Sequence, residues 1–394
     1  MDFDLTVFLR DRSCIWHLPG PIDWRNLERT PMAQQQRSFH TLDGIRGVAA
    51  LLVACFHLEI FLAPVGGSGA LFPEGYLAVD LFFVLSGFVL EHAYADRLRA
   101  GLRARAFMTA RIIRLYPLYL LGVAIGLASA IVAYRLGGGS VDGQGLVLTT
   151  LAALLLLPSP TAGQNAAIFI LNAPGWSLFF ELLVNLAFVL AWRRLSTRLL
   201  LAIVVVSGIA LAMATFQAGH IHLGPTWPDF LGGVPRVAYS FFIGVLIRRL
   251  YQAEAAPASG ARQVVAWGLA GLLPLILLLP PSPALRPWFD LACVLVAFPI
   301  LIALGARYEP GAAGVAIFRF LGLVSYPVYA IHFPLMELLR RGLSLLRIDI
   351  QQFAVPLELG CIAALVAAGW LLFRMYDLPA RAAAAQSMRR RQPA

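Results

Sequence analysis

Several residues in this sequence stand where they are energetically costly, and their types point to proton transfer and phosphate binding. His57 and His332 lie inside apolar stretches, as do the carboxylates Asp80 and Glu181 and the hydroxyls Ser86 and Ser177. Ionisable groups inside a bilayer are functional candidates by default. An imidazole titrates near neutral pH and can take and return a proton, so His57, with Glu59 two residues on, is a candidate general base. Glu181 or Asp80 would orient that ring and stabilise its charged form. Ser86, Trp176 or backbone groups would face a developing oxyanion, and a covalent intermediate on His57 or Ser177 is an open alternative. Arg111 and Arg114, three residues apart in RIIRLYP, share one helix face. Such a guanidinium fork suits phosphate and pyrophosphate through paired hydrogen bonds, and Asp43 and Arg46 open a neighbouring apolar stretch. The ordinary alternatives are interhelical hydrogen bonding for a lone buried polar group and topological charge for an arginine.

The elements that must carry these groups follow from composition. Of 394 residues, 59% are hydrophobic and 13% charged, about half the charged share of a soluble domain. A mean hydropathy of +0.76 is spread along the whole length, which excludes a soluble globular enzyme. Windows of about 19 residues give spans near 45–63, 75–93, 115–134, 174–192, 199–217, 233–250, 263–281, 288–306, 316–339 and 353–374. The apolar run 146–157 is too short to cross and reads as re-entrant or interfacial. The expected fold class is all-α: a polytopic membrane protein with about ten transmembrane helices. Every basic residue is arginine. With ten crossings most arginines fall on one side, leaving Arg135, Arg236, Arg286, Arg340, Arg341 and Arg347 on the other, so both termini are expected in the cytoplasm.

Helix arithmetic then places the polar groups. At a rise of ~1.5 Å per residue, His57 lies roughly 18 Å from the inner end of its helix, and His332 roughly 24 Å. Entering from the outer side, Asp80 comes to roughly 8 Å, Glu181 to roughly 10 Å and Ser86 to roughly 16 Å. These groups therefore form an expected outer stratum. Asp43 lies roughly 21 Å from His57 along one helix, so Asp43, Arg46, Arg111 and Arg114 form a separate inner cluster.

Other readings are bland. A net charge of +10 could suggest nucleic acid, but arginines in short loops beside apolar segments set membrane orientation instead. Cys14, Cys55, Cys293 and Cys361 have no metal-ligand spacing. His220 and His222 alternate as metal ligands can, yet lack a third partner, so no metal is expected. Nothing in residues 1–40 resembles a cleavable signal, and Met32 is an alternative start. No inverted repeat of the kind many transporters show is visible.

Five blocks carry a family resemblance: RSFHTLDGIRGVAALLVACFHLEIF (37–61), GYLAVDLFFVLSGFVLEH (75–92), RIIRLYPLY (111–119), NAPGWSLFFELLVNLAF (172–188) and LGLVSYPVYAIHFPL (321–335). In this order they resemble the acyltransferase-3 family of bacterial membrane O-acyltransferases. The resemblance covers about residues 38–377, leaving a cytoplasmic N-terminal extension (1–37) and a basic cytoplasmic tail (378–394). It implies the stand-alone form, without the hydrolase-like domain that some members append, in the bacterial cytoplasmic (inner) membrane. It also implies transfer of an acyl group, often acetyl, from acetyl-CoA or another acyl-CoA to a hydroxyl of a glycan or small-molecule acceptor. The family's first-helix histidine corresponds to His57, its paired arginines to Arg111 and Arg114, and its tryptophan–serine–glutamate block to Trp176, Ser177 and Glu181. There are two departures: Phe180 precedes a single Glu181 where many members carry an acidic pair, and Asp377 stands where glutamate is usual.

The expected roles are catalytic for His57, Glu181, Asp80 and Ser86. Arg111, Arg114, Arg46 and Asp43 are expected to hold acyl-CoA, and Trp176, Ser177, His332 and Arg236 to contact the acceptor. The variable segments 64–74, 135–171 and 218–235 are expected to select that acceptor. The competing class is a proton-coupled transporter, in which the buried His, Asp and Glu form a relay but the arginine fork has no task.

Overall fold

The computed structural model describes residues 38–62, 72–136, 141–161, 166–251, 260–346 and 354–383. The extension 1–37, the tail beyond 383 and residues 64–71 of the first variable segment lie outside the described residues. Among the described residues the chain is helical, with an isolated bridge between Ala167 and Thr226 in place of any strand. Ten helices among the described residues are long and apolar enough to cross a membrane. Continuous apolar helices are the form in which a lipid-embedded backbone satisfies its own hydrogen bonds.

In chain order these are α1 (His40–Leu62), a 3₁₀ turn (Gly75–Leu77) leading into α2 (Ala78–Arg99), and α3 (Ala104–Arg135). Then follow the short α4 (Gly143–Leu154), α5 (Gly175–Ala191), α6 (Thr197–Ala218) and α7 (Gly233–Leu250). The set closes with α8 (Gly260–Leu277), α9 (Arg286–Gly305), α10 (Ala312–Leu345) and α11 (Ala354–Leu372), the last continued by a π turn at Phe373–Asp377. Most of the run 146–157 lies in the 12-residue α4, Gly143–Leu154, which falls short of a crossing helix.

One boundary differs with consequence. Hydropathy places the third span at 115–134, but α3 begins at Ala104. The arginines at 105, 111 and 114 depress the hydropathy of that window without breaking the helix, since arginine is a good helix former. Arg111 and Arg114 are thus helical residues two to three turns inside α3, not loop residues.

Two close crossings fix the bundle. A Cβ on Gly87 would come within 1.9 Å of the Phe241 carbonyl oxygen, and one on Gly244 within 2.0 Å of that of Val84. Only glycine allows α2 and α7 to touch through their backbones, the small-residue packing typical of membrane helices. Between α1 and α10, a Cβ on Gly47 would meet Leu321 at 2.4 Å. The α2 hydropathic window is 83% buried within the protein, against 17% for α11, so α2 is the central helix and α11 a peripheral one.

The irregular segment between α4 and α5 is pinned from both sides. The Thr149, Ser159 and Thr161 hydroxyls bond one another, and Tyr119 Oη donates to the Ala153 carbonyl. Pro334, inside α10, has no N–H to give the Ala330 carbonyl. Asn172 Nδ2 supplies that donor at 3.0 Å. This bond ties the start of α5 to the part of α10 that carries Tyr329 and His332.

Candidate active site

Two cavities meet at the arginine-rich end of the bundle. The outer one, about 570 Å³ with its opening, is walled by His40, Asp43, Arg46, Arg114, Arg319, Asp377 and Arg381, among others. The deeper one, about 740 Å³ with its opening, takes in Arg46, Ser86, Arg111, Arg114, Ser177, Glu181, Ser325, Tyr326 and Tyr329 on an otherwise apolar wall. Arg46, Arg114 and Tyr326 belong to both.

Each polar wall residue has a definite support. Arg46 is held by Asp43 at 2.8 Å, by the Gly322 carbonyl at 2.7 Å and by Ser325 Oγ at 2.9 Å. Asp43 therefore acts as a brace for Arg46. Arg114 feels the charges of Arg381, Arg111, Arg46 and Asp377 together. Tyr326 Oη donates to the Leu115 carbonyl, joining α10 to α3 beside the arginines. The π turn ending α11 brings Asp377 to this rim, where it pairs with Arg381. Such clustering of guanidinium groups suits a polyanion, which they can grip bidentately.

Glu181 lies in the deeper cavity and bonds Arg111 Nη2 at 2.6 Å and Ser86 Oγ at 3.0 Å. The expected separation into an inner arginine cluster and an outer carboxylate stratum does not hold at this point. Because α3 starts earlier than its hydropathy indicates, Arg111 stands far enough along it to meet Glu181. Glu181 therefore serves Arg111 and does not orient the His57 ring.

That ring has a different partner. His57 Nδ1 lies 2.9 Å from the Val53 carbonyl oxygen and 3.2 Å from His332 Nε2. His332 has no exposed surface, so it is not placed to touch an acceptor directly. Its ring lies 5.8 Å from that of Tyr329, whose hydroxyl is 2.5 Å from Ser177 Oγ. Ser177 and Tyr329 line the deeper cavity; His57 lines neither cavity. A contact chain Ser177–Tyr329–His332–His57 thus leads from the cavity wall to the imidazole.

Asp80 and Arg236 are corrected most fully. Arg236 Nε and Nη2 both grip the Asp80 carboxylate (2.9 and 2.7 Å), while Nη1 donates to the Leu223 carbonyl at 3.0 Å and Nη2 also to that of Tyr76 at 3.3 Å. Neither side chain has exposed surface. The guanidinium lies 5.1 Å over the Trp176 ring. Asp80, Arg236 and Trp176 thus make a sealed unit joining α2, α7 and α5, with no acid left to orient His57 and no cation left for an acceptor.

A second polar cluster lies at the opposite end of the bundle. There Tyr76 donates to Asp290 at 2.9 Å, Arg286 pairs with Glu74 at 3.2 Å, and the His222 ring packs edge-on against Tyr76. His222 Nδ1 is buried without a partner. Burial, with the charges of Arg236, His57 and His220 after it, pushes the His222 imidazole down to about 3. The alternation of His220 and His222 was the only sequence signal for this cluster. Among the described residues no group of three or more His, Cys, Asp or Glu side chains is arranged to hold a metal ion.

Comparison with known proteins settles the class. The family profile described as an acyltransferase domain matches residues 39–375. The chain belongs to this acyltransferase-3 family and is a multi-pass membrane acyltransferase. More particularly, it is 40% identical over 189 residues to "Protein 2 in picA locus" of Rhizobium radiobacter, covering 45% of this chain and 95% of that protein. It is 34% identical over 162 residues to the acyltransferase MdmB of Streptomyces mycarofaciens, covering 39% of each chain. It is 25% identical over 328 residues to BcsY of Komagataeibacter xylinus, whose name describes a membrane-bound transacylase, covering 80% of this chain and 77% of that one. No solved structure matches.

Proposed function

We propose that this acyltransferase moves an acyl group, acetyl being the simplest, from acyl-CoA to a hydroxyl of a glycan or related small molecule. In this reading it works in the bacterial cytoplasmic membrane, with its arginine-rich end and both termini in the cytoplasm, as the distribution of arginines favours. The observation that carries the reading is a graded line of surfaces. A guanidinium-rich cavity opens through Arg46 and Arg114 into a mostly apolar one, whose end is joined by contact to His57.

Arg46, Arg114, Arg319 and Arg381 hold the donor's phosphates, and Arg111, braced by Glu181, stands further in. The uncharged pantetheine arm fills the deeper cavity. His57 takes the proton of the acceptor hydroxyl, whose oxygen attacks the thioester carbonyl carbon. As the tetrahedral intermediate collapses the carbon–sulfur bond breaks, and the imidazolium returns its proton to the leaving thiolate. Ser177 Oγ gives its hydrogen to the Pro174 carbonyl, so Tyr329 Oη is the donor of the pair and turns from Ser177 to the oxyanion.

Membranes bearing the protein, given isotope-labelled acetyl-CoA, should place label in an extractable glycan or small-molecule acceptor. His57→Ala should reduce that transfer to background while the protein still elutes as a single folded species. Undiminished transfer by this variant would remove His57 as the base. Movement of an intact solute without labelling would favour the transporter class.

A further inference from the structure

The hydrogen bonds around the two histidines determine where their protons reside. His332 Nδ1 lies 2.8 Å from the Tyr329 carbonyl oxygen and 3.2 Å from that of Val328. A nitrogen facing two carbonyl oxygens must carry a hydrogen, because its lone pair would only repel theirs. In the neutral ring, the other nitrogen, Nε2, is then an acceptor. That acceptor stands 3.2 Å from His57 Nδ1, which also faces the Val53 carbonyl oxygen at 2.9 Å. Both neighbours of His57 Nδ1 are acceptors, so this nitrogen too carries its hydrogen and shares it between them. The remaining lone pair of His57 is on Nε2. No hydrogen bond from a described residue reaches that atom, and His57 as a whole is only partly buried.

We propose that His332 is a positioning residue: together with the Val53 carbonyl, its backbone-locked imidazole holds His57 in the Nδ1–H tautomer, leaving Nε2 as the atom that takes the acceptor's proton. This rests on His57 being the base. The arrangement resembles in logic an acid that orients a catalytic histidine, except that the orienting group is neutral and its own tautomer is set by carbonyls of its own helix. A neutral partner suits this location, because a carboxylate without a compensating cation would be costly there. When His57 accepts a proton at Nε2, its Nδ1–H bonds to His332 and Val53 strengthen, favouring the imidazolium. Its return to the thiolate restores the starting pair, and no net proton moves to His332. Pro334 contributes indirectly, since the Asn172 bond to the carbonyl it frees anchors this stretch of α10.

Other titratable groups around the pair are few. Tyr329 lies beside His332 on α10, and His222 approaches His57 from the segment preceding α7. Glu59, on α1, accepts from the Phe72 backbone N–H at 3.0 Å and is engaged there.

The test compares His332→Leu, which removes the acceptor, with His332→Gln, whose amide oxygen can accept from His57 Nδ1–H. In the leucine variant kcat should fall about 100-fold, the range for a group that orients a general base, with the KM for acyl-CoA unchanged. The acid limb of its pH–rate profile should move to lower pH, because the imidazolium loses a partner. The glutamine variant should recover kcat to within about tenfold of wild type and return the acid limb towards its original place. Equal impairment of both variants with an unmoved acid limb would mean that His332 only packs, and would overturn the proposal. So would a leucine variant with wild-type kcat. If the leucine variant does not fold, the glutamine variant decides alone: its acid limb must lie near wild type and its kcat within tenfold. His57→Ala separates the two readings. Should it remain active, the base assignment itself fails. Should it be inactive while His332→Leu is normal, only the present inference fails.

Discussion

Two arginine–carboxylate pairs at this protein's core have nearly the same closest distance and opposite meanings. Arg236–Asp80 closes at 2.7 Å and Arg111–Glu181 at 2.6 Å. In the first pair both side chains are fully sealed, and every nitrogen of the guanidinium has an acceptor. In the second, Glu181 keeps 17% of its side-chain surface, both residues line a cavity, and Arg111 Nε is buried without a partner. A buried pair that is complete joins helices, and removing one partner strands a charge. An incomplete pair beside a cavity retains hydrogen-bonding capacity for something that enters it. Contact distance distinguishes nothing here; what matters is whether the arginine has donors left over.

The largest effect that tests this contrast is on folding. Arg236→Leu should cost about 3–5 kcal/mol, the range for leaving a buried charge unpaired. It should appear as loss of folded protein or a steep fall in detergent-solubilised melting temperature. Near-normal stability would mean that the pair is not structural. Arg111→Gln keeps an amide donor for Glu181 beside the cavity and should cost less stability than Arg236→Leu, about 1–3 kcal/mol, while the KM for acyl-CoA rises about tenfold, the factor for one charge-assisted hydrogen bond of about 1.4 kcal/mol. Unchanged donor dependence would remove Arg111 from the donor site. The smallest effect involves His222. Its imidazole is held neutral with a depressed folded-state value, so its contribution to stability is present above the unfolded value near 6.5 and is lost as pH falls towards about 3. His222→Phe should flatten the fall in melting temperature between pH 6.5 and pH 4. An identical fall would show that protonation of His222 does not govern it.

The sequence reveals the ten crossings because each is a sustained apolar run, and α4 because it is too short to be one. The RIIR fork is legible from its three-residue spacing, and the resemblance from five ordered blocks. The depth of the fork was not legible. Hydropathy windows respond to charge and so started α3 at 115, whereas backbone propensity carries the helix back to Ala104. The partners of His57 and Asp80 were hidden for another reason. His332 and Arg236 are 275 and 156 residues away, and local periodicity carries no information on which helix faces which. Tyr326 and Tyr329 carry no sequence signal of their own, because a tyrosine in an apolar helix is ordinary until its hydroxyl reaches Leu115 or Ser177.

Arg46, Arg114 and Tyr326, the wall common to both cavities, have a kinetic consequence on the proposed reading. A spent carrier freed deep in the bundle must withdraw between the same guanidinium groups that admitted it, past the charges that favour its retention. Departure of free CoA then sets an upper bound on turnover, and its accumulation in the cell throttles the enzyme by occupying the doorway that the next donor needs.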